Sequence, residues 1–368
     1  MKVAFDTSML YMDKAGIHYY TKNLLKAIMK SCKHECKLIL YPLASLAGKY
    51  GHIHAFQQLP NFIKLIKQYN CDLVYIPHPR LYAHLFLSAL CDMLNRPLII
   101  TIHDVHFLVR THGISYKLTL LPRYSGISSL SRLFDSMFFT TVSRFSKYCM
   151  TKYLGIPGSK IEVIYPAIDE MFYSNISKEL SERCIKEIFA IERPYILYVG
   201  PIHPSKGVLT LIRAYKIAKK KGLKHKLVIA GPLRMKAQVF KQFSKVNSIR
   251  YLGYISREHL PYLYSAADAF VFLSIHEGFG LPVAEAAACG CPLILSSIPV
   301  FKEIWREVAI FVKPYKVEEI AEILLSLNSF NLERLGFLAK QRAKDFQPQN
   351  VAKRIIYYWK KILRNMIK

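Results

Sequence analysis

Long apolar runs are missing from this 368-residue chain. Stretches such as Leu85 to Leu90 and Leu293 to Leu295 end far short of the ~20 residues a bilayer-spanning helix needs, so no transmembrane helix is expected. The opening Met-Lys-Val-Ala-Phe-Asp is no signal-peptide core, because Asp6 closes its short apolar stretch, and the expected location is the cytoplasm. Clustered cysteines are lacking too. The eight fall at 32, 36, 71, 91, 149, 184, 289 and 291, a scatter that reads as reduced thiols rather than a disulfide framework. Cys32 and Cys36 flank His34, but no second pair stands at ligand spacing, and no Asp-x-Asp motif ends a strand, so no metal is expected. Internal repeats and low-complexity tracts are absent. The most telling shortage is of acid: 25 Asp and Glu against 52 Lys and Arg leave a net charge of +27. An excess of that size calls for an anionic partner, and membrane surface, nucleic acid and phosphorylated substrate all carry the right sign. The chain shows no DNA- or RNA-binding signature, which disfavours nucleic acid. The stretch Tyr116 to Tyr153, where Lys117, Arg123, Arg132, Arg144, Lys147 and Lys152 alternate with Leu120, Leu121, Phe134, Phe138 and Phe139, suits an anionic bilayer surface.

What is present is ample apolar material, 52% of residues, in a length that favours two domains of about 180 residues each. Short β-branched or aromatic runs alternate with amphipathic stretches in both halves. In the first they are Val3 to Asp6, Lys37 to Tyr41, Asp72 to Pro77, Leu98 to His103, Phe138 to Val142 and Ile161 to Tyr165. In the second they are Tyr195 to Val199, Lys226 to Ala230, Ile249 to Leu252, Ala269 to Leu273, Pro292 to Leu295 and Ala309 to Val312. This alternation predicts an α/β chain with two doubly wound, Rossmann-like parallel sheets. The polar stretch around Ser174, Asn175, Ser177 and Lys178 places the boundary, giving domains at 1–180 and 181–348. Residues 349–368 read as an amphipathic helix with Ile355, Trp359, Ile362 and Met366 on one face, able to pack back toward the N-terminal domain.

In open sheets of this kind ligands bind beyond the carboxyl ends of the strands, and the most informative such segment is Ser274 to Gly290. Gly278 and Gly280 let backbone approach a ligand, and Phe279 and Leu281 belong to the same turn. Pro282 fits the first helical position, and Gly290 closes the helix about two turns later. A helix N-terminus so placed suits a phosphate. Glu285, one turn into the helix, can accept hydrogen bonds from a ribose diol, while Glu277 precedes the turn. Gly200 to Gly207 follows the first strand of the second half, and its Lys206 is placed to meet a diphosphate. In the first half, Gly16 stands in the loop before a helix beginning near Tyr19, either admitting a donor phosphate or serving an ordinary turn. His103 ends the fourth strand, with Asp104 beside it and His106 two residues on. General base, sugar contact and buried structural histidine all fit it. His276 reads as a pocket wall.

The Glu, seven residues, Glu arrangement within Glu277-Gly278-Phe279-Gly280-Leu281-Pro282 and Glu285-Ala286 resembles the signature of the retaining glycosyltransferases of family 4, the group 1 enzymes. The likeness extends through Gly16-Ile17-His18, Thr101-Ile102-His103-Asp104, Val142-Ser143-Arg144 and Tyr198-Val199-Gly200. It implies the GT-B fold with a deep interdomain cleft, an N-terminal acceptor-binding domain and a C-terminal nucleotide-sugar-binding domain. It assigns Glu285 to the nucleotide ribose, Glu277 to the donor sugar, Lys206 to the diphosphate and His103 to a sugar contact. The family's usual second basic residue falls on Pro201 or Ser205, a departure from the pattern. The implied reaction moves a hexose, mannose from GDP-mannose first and UDP-sugars next, to a glycan or lipid-linked acceptor of surface polysaccharide or glycolipid assembly, without cofactor. His103, Lys206 and Glu277 would be catalytic, and Gly16, Gly200, Lys206, Glu277, Gly278, Phe279, Gly280, Leu281 and Glu285 would hold the donor. The rivals are a sugar-nucleotide epimerase or a phosphorylase of the same fold, a basic nucleic-acid-binding protein, and an inert scaffold.

Overall fold

The computed structural model describes residues 1–11, 16–32, 34–42, 51–78, 96–104, 137–238, 240 and 246–367, with the side chains of 51–57, 59 and 367 set aside. It separates into two compact units, Met1–Ala167 together with Pro348–Lys368, and Ile168–Gln347. The first unit holds β1 (Lys2–Asp6), β2 (Lys37–Tyr41), β3 (Leu73–Ile76), β4 (Leu98–Ile102), β5 (Met137–Thr141) and β6 (Ile161–Val163). The second holds β7 (Tyr195–Val199), β8 (Lys226–Ala230), β9 (Ile249–Tyr251), β10 (Ala269–Phe272), β11 (Leu293–Ser296) and β12 (Ala309–Val312). Among the described residues every strand pairing is parallel, in the orders β2-β1-β3-β4-β5-β6 and β12-β11-β10-β7-β8-β9. Parallel strands need crossovers that cover both faces, and the central strands read accordingly as unbroken apolar runs. All of β3, β7 and β10 is buried, whereas the edge strands β2 and β9 are half-open.

Strand order reverses between β1 and β3 in the first sheet and between β7 and β10 in the second. At such a point the two flanking loops diverge to opposite faces and leave a crevice at the carboxyl edge. The loops after β7 and β10 carry Lys206 and Glu277, so this topology brings together residues 71 positions apart.

The division between units falls after Ala167, whereas the polar stretch pointed to residue 180. The reason is local: Ser177 caps a new helix, Lys178–Phe189, through the Leu180 amide. Ile168 and Tyr173 already hydrogen-bond to the Phe346 and Ala343 carbonyls at the end of the second unit. The polar run is therefore a helix start, and the crossing lies ten residues earlier. The helix Pro348–Ile367 belongs to the first unit and packs on the helix Gly16–Ser31. Its Ile355, Trp359 and Ile362 are buried, and Met366 is exposed.

Residues 116–136 of the basic and apolar stretch, like His106, lie outside the described residues. Of its described apolar members, Phe138 and Phe139 belong to β5, with Phe139 buried and the Lys160 ammonium 4.5 Å from the Phe138 ring centre. They are strand residues, and the Phe138 side chain is half-buried. Among the described residues no helix is long and apolar enough to cross a membrane, and the seven described cysteines are unpaired.

Candidate active site

The loop after β7 is held at several points. Ile202 donates its amide to Pro232 O at 2.8 Å and accepts that of Arg234 at 3.0 Å, which pins the loop to the one after β8. A 3-10 turn, Pro204–Lys206, follows, with the His203 side chain accepting from the Ser205 amide. Gly207 then takes a left-handed φ of 71° and starts the helix Val208–Lys220. A Cβ there would collide with the backbone carbonyl of Leu273, so glycine is required both for the turn and for the close approach of the two loops. The Ile275 amide donates to Ser205 O at 3.0 Å and the Ser274 hydroxyl to the same oxygen at 3.2 Å. Tied in this way, the Lys206 ammonium stands 2.6 Å from Glu277 Oε1. Both side chains keep some solvent contact, 25% and 14%.

Gly280 ends the loop after β10 with φ of 93° and precedes the helix Leu281–Ala288. A Cβ at this position would lie 2.7 Å from Phe301 Cε1. Pro282 occupies the second helical position, one later than expected, still within the first turn where its missing N–H costs no bond. No side chain caps this N-terminus. Pro282 has no N–H and the Val283 and Ala284 amides donate to Gly280 O, so the Leu281 amide and the positive end of the helix are what this turn offers an anion. Phe279 is buried edge-on against Phe346, ring centres 5.2 Å apart, so its side chain serves the core.

Glu285 lies in a different environment eight residues on. Val283 to Ala288 are all buried, and the small side chains let this helix sit deep in the unit. Glu285 Oε1 accepts from the Arg257 guanidinium at 2.7 Å and Oε2 from the Tyr264 hydroxyl at 3.3 Å, with only 4% of the side chain exposed. Arg257 in turn lies over the Phe172 ring at 5.0 Å. Burial raises the Glu285 pKa from its ordinary value, and Arg257 is the main opposing influence.

In the first unit Gly16 is the exposed first residue of its helix, three residues before the expected start. His103 follows β4, half-buried, with Nε2 2.9 Å from Pro77 O and its ring edge-on to Tyr20 at 4.5 Å. A carbonyl only accepts, so Nε2 carries the hydrogen and Nδ1 presents the lone pair. Burial pushes the His103 pKa down to about 4, against the Pro77 carbonyl and Asp104. At neutral pH the ring is therefore uncharged.

Two family models match the chain, Glycosyltransferase Family 4 over residues 16–171 and Glycosyl transferases group 1 over residues 183–335. The chain belongs to the family 4, group 1 glycosyltransferases. Among curated relatives of this glycosyltransferase, O-antigen chain mannosyltransferase B of Escherichia coli is 27% identical, over 98% of this chain and 100% of the relative. O-antigen chain mannosyltransferase RfbU of Salmonella typhimurium is 28% identical, over 62% of this chain and 64% of the relative. Among solved structures, HepE of Anabaena in complex with UDP and glucose superposes with a TM-score of 0.74 at 16% identity, covering 98% of this chain and 100% of that one. Sucrose-phosphate synthase of Thermosynechococcus elongatus gives 0.71 at 16% identity, over 99% and 100%. The glycosyltransferase thus has the GT-B class of fold, with two parallel α/β sheets.

Within this glycosyltransferase the structure brings Lys206, Glu277, Gly278 and Gly280 to one edge of the second sheet. Gly200 lies at the start of the same loop, just beyond β7. Glu285 is on the adjoining helix, clamped from inside the unit. Arg257 and Tyr264 were not singled out from sequence. The only local sign was an arginine just before an apolar helix, and its meaning depends on a partner 28 residues away.

Proposed function

We propose that this glycosyltransferase moves a hexose from a nucleoside diphosphate sugar to an acceptor hydroxyl with retention of anomeric configuration, and that the donor is GDP-mannose, with UDP-sugars the next choice. The observation that carries the reading is the Lys206–Glu277 pair, 2.6 Å apart where the strand order of the second sheet reverses, beside an uncapped helix N-terminus. The mannosyltransferase names of two relatives support the sugar. The UDP and glucose bound to HepE support a donor of the nucleotide-sugar class.

Glycosyl transfer breaks the bond between the anomeric carbon and the diphosphate oxygen, and negative charge grows on the departing diphosphate. A preorganised ammonium at that oxygen stabilises the charge as it develops. Glu277 compensates the Lys206 charge before the donor arrives, which keeps the ammonium oriented in a partly dry site. With the sugar seated beside it, Glu277 orients a hydroxyl of the hexose and faces the positive charge developing at the anomeric carbon. Glu285 accepts from the ribose: a carboxylate offers about four lone-pair sites, and Arg257 and Tyr264 take only part of that capacity. Retention follows a front-side route in which the leaving oxygen helps deprotonate the incoming hydroxyl on the same face. Lys206 and the helix N-terminus supply the positive charge in a metal-independent reaction. The acceptor is a glycan or a lipid-linked sugar at the cytoplasmic face of a membrane, and the net charge of +27 suits an anionic surface.

Thermal-shift measurements with GDP, UDP and ADP and their sugars test the donor. GDP and GDP-mannose should give the largest stabilisation, and a shift confined to another base would replace mannose as the assignment. An NMR assay of the product's anomeric configuration tests retention, with an inverted product counting against it.

A further inference from the structure

We infer that Arg257 is a positioning residue for donor binding, holding Glu285 as an oriented carboxylate by a clamp built entirely from the second unit. The inference rests on the ribose role proposed for Glu285 and extends it to residues that touch no part of the donor.

The clamp has three layers. Arg257 donates to Oε1 at 2.7 Å, and the Tyr264 hydroxyl donates to Oε2 at 3.3 Å, so the carboxylate plane is fixed from two elements. Phe172 backs both partners: the guanidinium carbon lies 5.0 Å from its ring centre, and the Tyr264 ring stands at 6.0 Å and 64° to it. Phe172 is fully buried and belongs to the 3-10 turn Glu170–Tyr173. Its carbonyl in turn accepts the Cys289 thiol from the far end of the Glu285 helix. A single arginine therefore connects the segment after β9, the first turn of the unit and the helix after β10.

A carboxylate buried this deeply needs the connection, because burial favours its neutral form. The titratable and charged groups that act on it are Arg257, Tyr264, Asp169 and Cys289. Arg257 favours the ionised form of Glu285 and Asp169 opposes it. Tyr264 donates to the ionised form, and its own ionisation is pushed well upward by burial, so it stays a donor across the working range. Charge-assisted hydrogen bonds to a diol are roughly twice as strong as neutral ones, so protonating Glu285 would weaken donor binding.

The test is calorimetric binding of GDP and of UDP to the full chain across pH 4.5 to 8, in wild type, Arg257→Met, Arg257→Lys and Glu285→Gln. Glu285→Gln retains the ligand's own phosphate titration and so isolates the contribution of Glu285. Wild type should lose affinity on the acid side more steeply than Glu285→Gln. In Arg257→Met that extra acid limb should move up by about one pH unit or more, since an opposite charge within bonding distance is worth about that. Arg257→Lys should return it toward the wild-type position. An Arg257→Met limb that superimposes on wild type, while Glu285→Gln abolishes the limb, overturns the clamp and leaves the ribose role standing. Glu285→Gln binding like wild type at every pH overturns the ribose role itself. Should Arg257→Met fail to fold, Tyr264→Phe carries the test: it removes the second donor, and its limb should move the same way by a smaller step. Superposition on wild type then counts against the clamp.

Discussion

Glu277 and Glu285 stand eight residues apart, each hydrogen-bonded to a cation, yet the two pairs occupy opposite environments. Lys206–Glu277 spans two loops at the open edge of the second sheet, with 25% and 14% of the side chains exposed. Arg257–Glu285 lies inside the unit, with 18% and 4% exposed and a tyrosine and a phenylalanine around it. The more open pair can exchange partners at lower cost, because solvent reaches both side chains. The buried pair cannot part without leaving a charge in an apolar site, a loss of several kcal/mol. In the proposed mechanism the more open charge pair serves the reacting bond and the more buried one holds the nucleotide.

The largest effect expected from breaking the comparison is on turnover. Lys206→Ala should lower kcat by ~10² or more, because removing one preorganised charge from a leaving group costs ~3 kcal/mol. Its chemical denaturation curve should stay close to wild type. A parental transfer rate would remove Lys206 from the leaving group.

Stability should respond in the reverse sense. Glu285→Ala takes the carboxylate away from the half-buried Arg257 and leaves a void in a buried helix, and should lower the unfolding free energy by ~3 kcal/mol, whereas Glu277→Ala at the edge should cost about 1 kcal/mol or less. Urea denaturation of the two variants side by side decides this, and equal losses would erase the distinction.

A smaller effect comes from the first unit. His103 is held at about 4 when folded, against an ordinary value of 6.5, chiefly by burial. The unfolded chain therefore binds more protons between those values, and this group's contribution to stability is full above pH 6.5 and falls as pH drops toward 4. The loss is bounded at ~3 kcal/mol by the size of the shift. His103→Gln should flatten that part of the pH–stability curve, and an unchanged slope would assign it to other groups. The smallest expected effect is none at all: transfer in excess EDTA should match transfer with Mg²⁺, and EDTA-dependent loss would overturn the metal-independent reading.

Much of the fold was legible in sequence because both its signals are local. A buried parallel strand such as β7, Tyr-Ile-Leu-Tyr-Val, announces itself by an unbroken apolar run, and all twelve runs became strands. The glycines and proline between Glu277 and Pro282 likewise mark a strand-to-helix turn without reference to anything distant. What could not be read depends on the order of strands in space. Lys206 meets Glu277 only because β7 and β10 are neighbours, and Arg257 meets Glu285 only because the segment after β9 folds against the helix after β10. A polar stretch was equally ambiguous: Ser174 to Ser177 could have been a linker, and the Ser177 cap that makes it a helix start is one hydrogen bond.

The most direct measurement of the division of labour between the two acids pairs nucleoside diphosphate calorimetry with donor kinetics in Glu277→Gln and Glu285→Gln. Glu285→Gln should weaken nucleotide binding and raise the donor KM, because the ribose is unchanged in the reaction. Glu277→Gln should mainly lower kcat, since its contacts strengthen in the transition state. The opposite pattern, with nucleotide affinity lost in Glu277→Gln and only kcat lost in Glu285→Gln, would contradict the account.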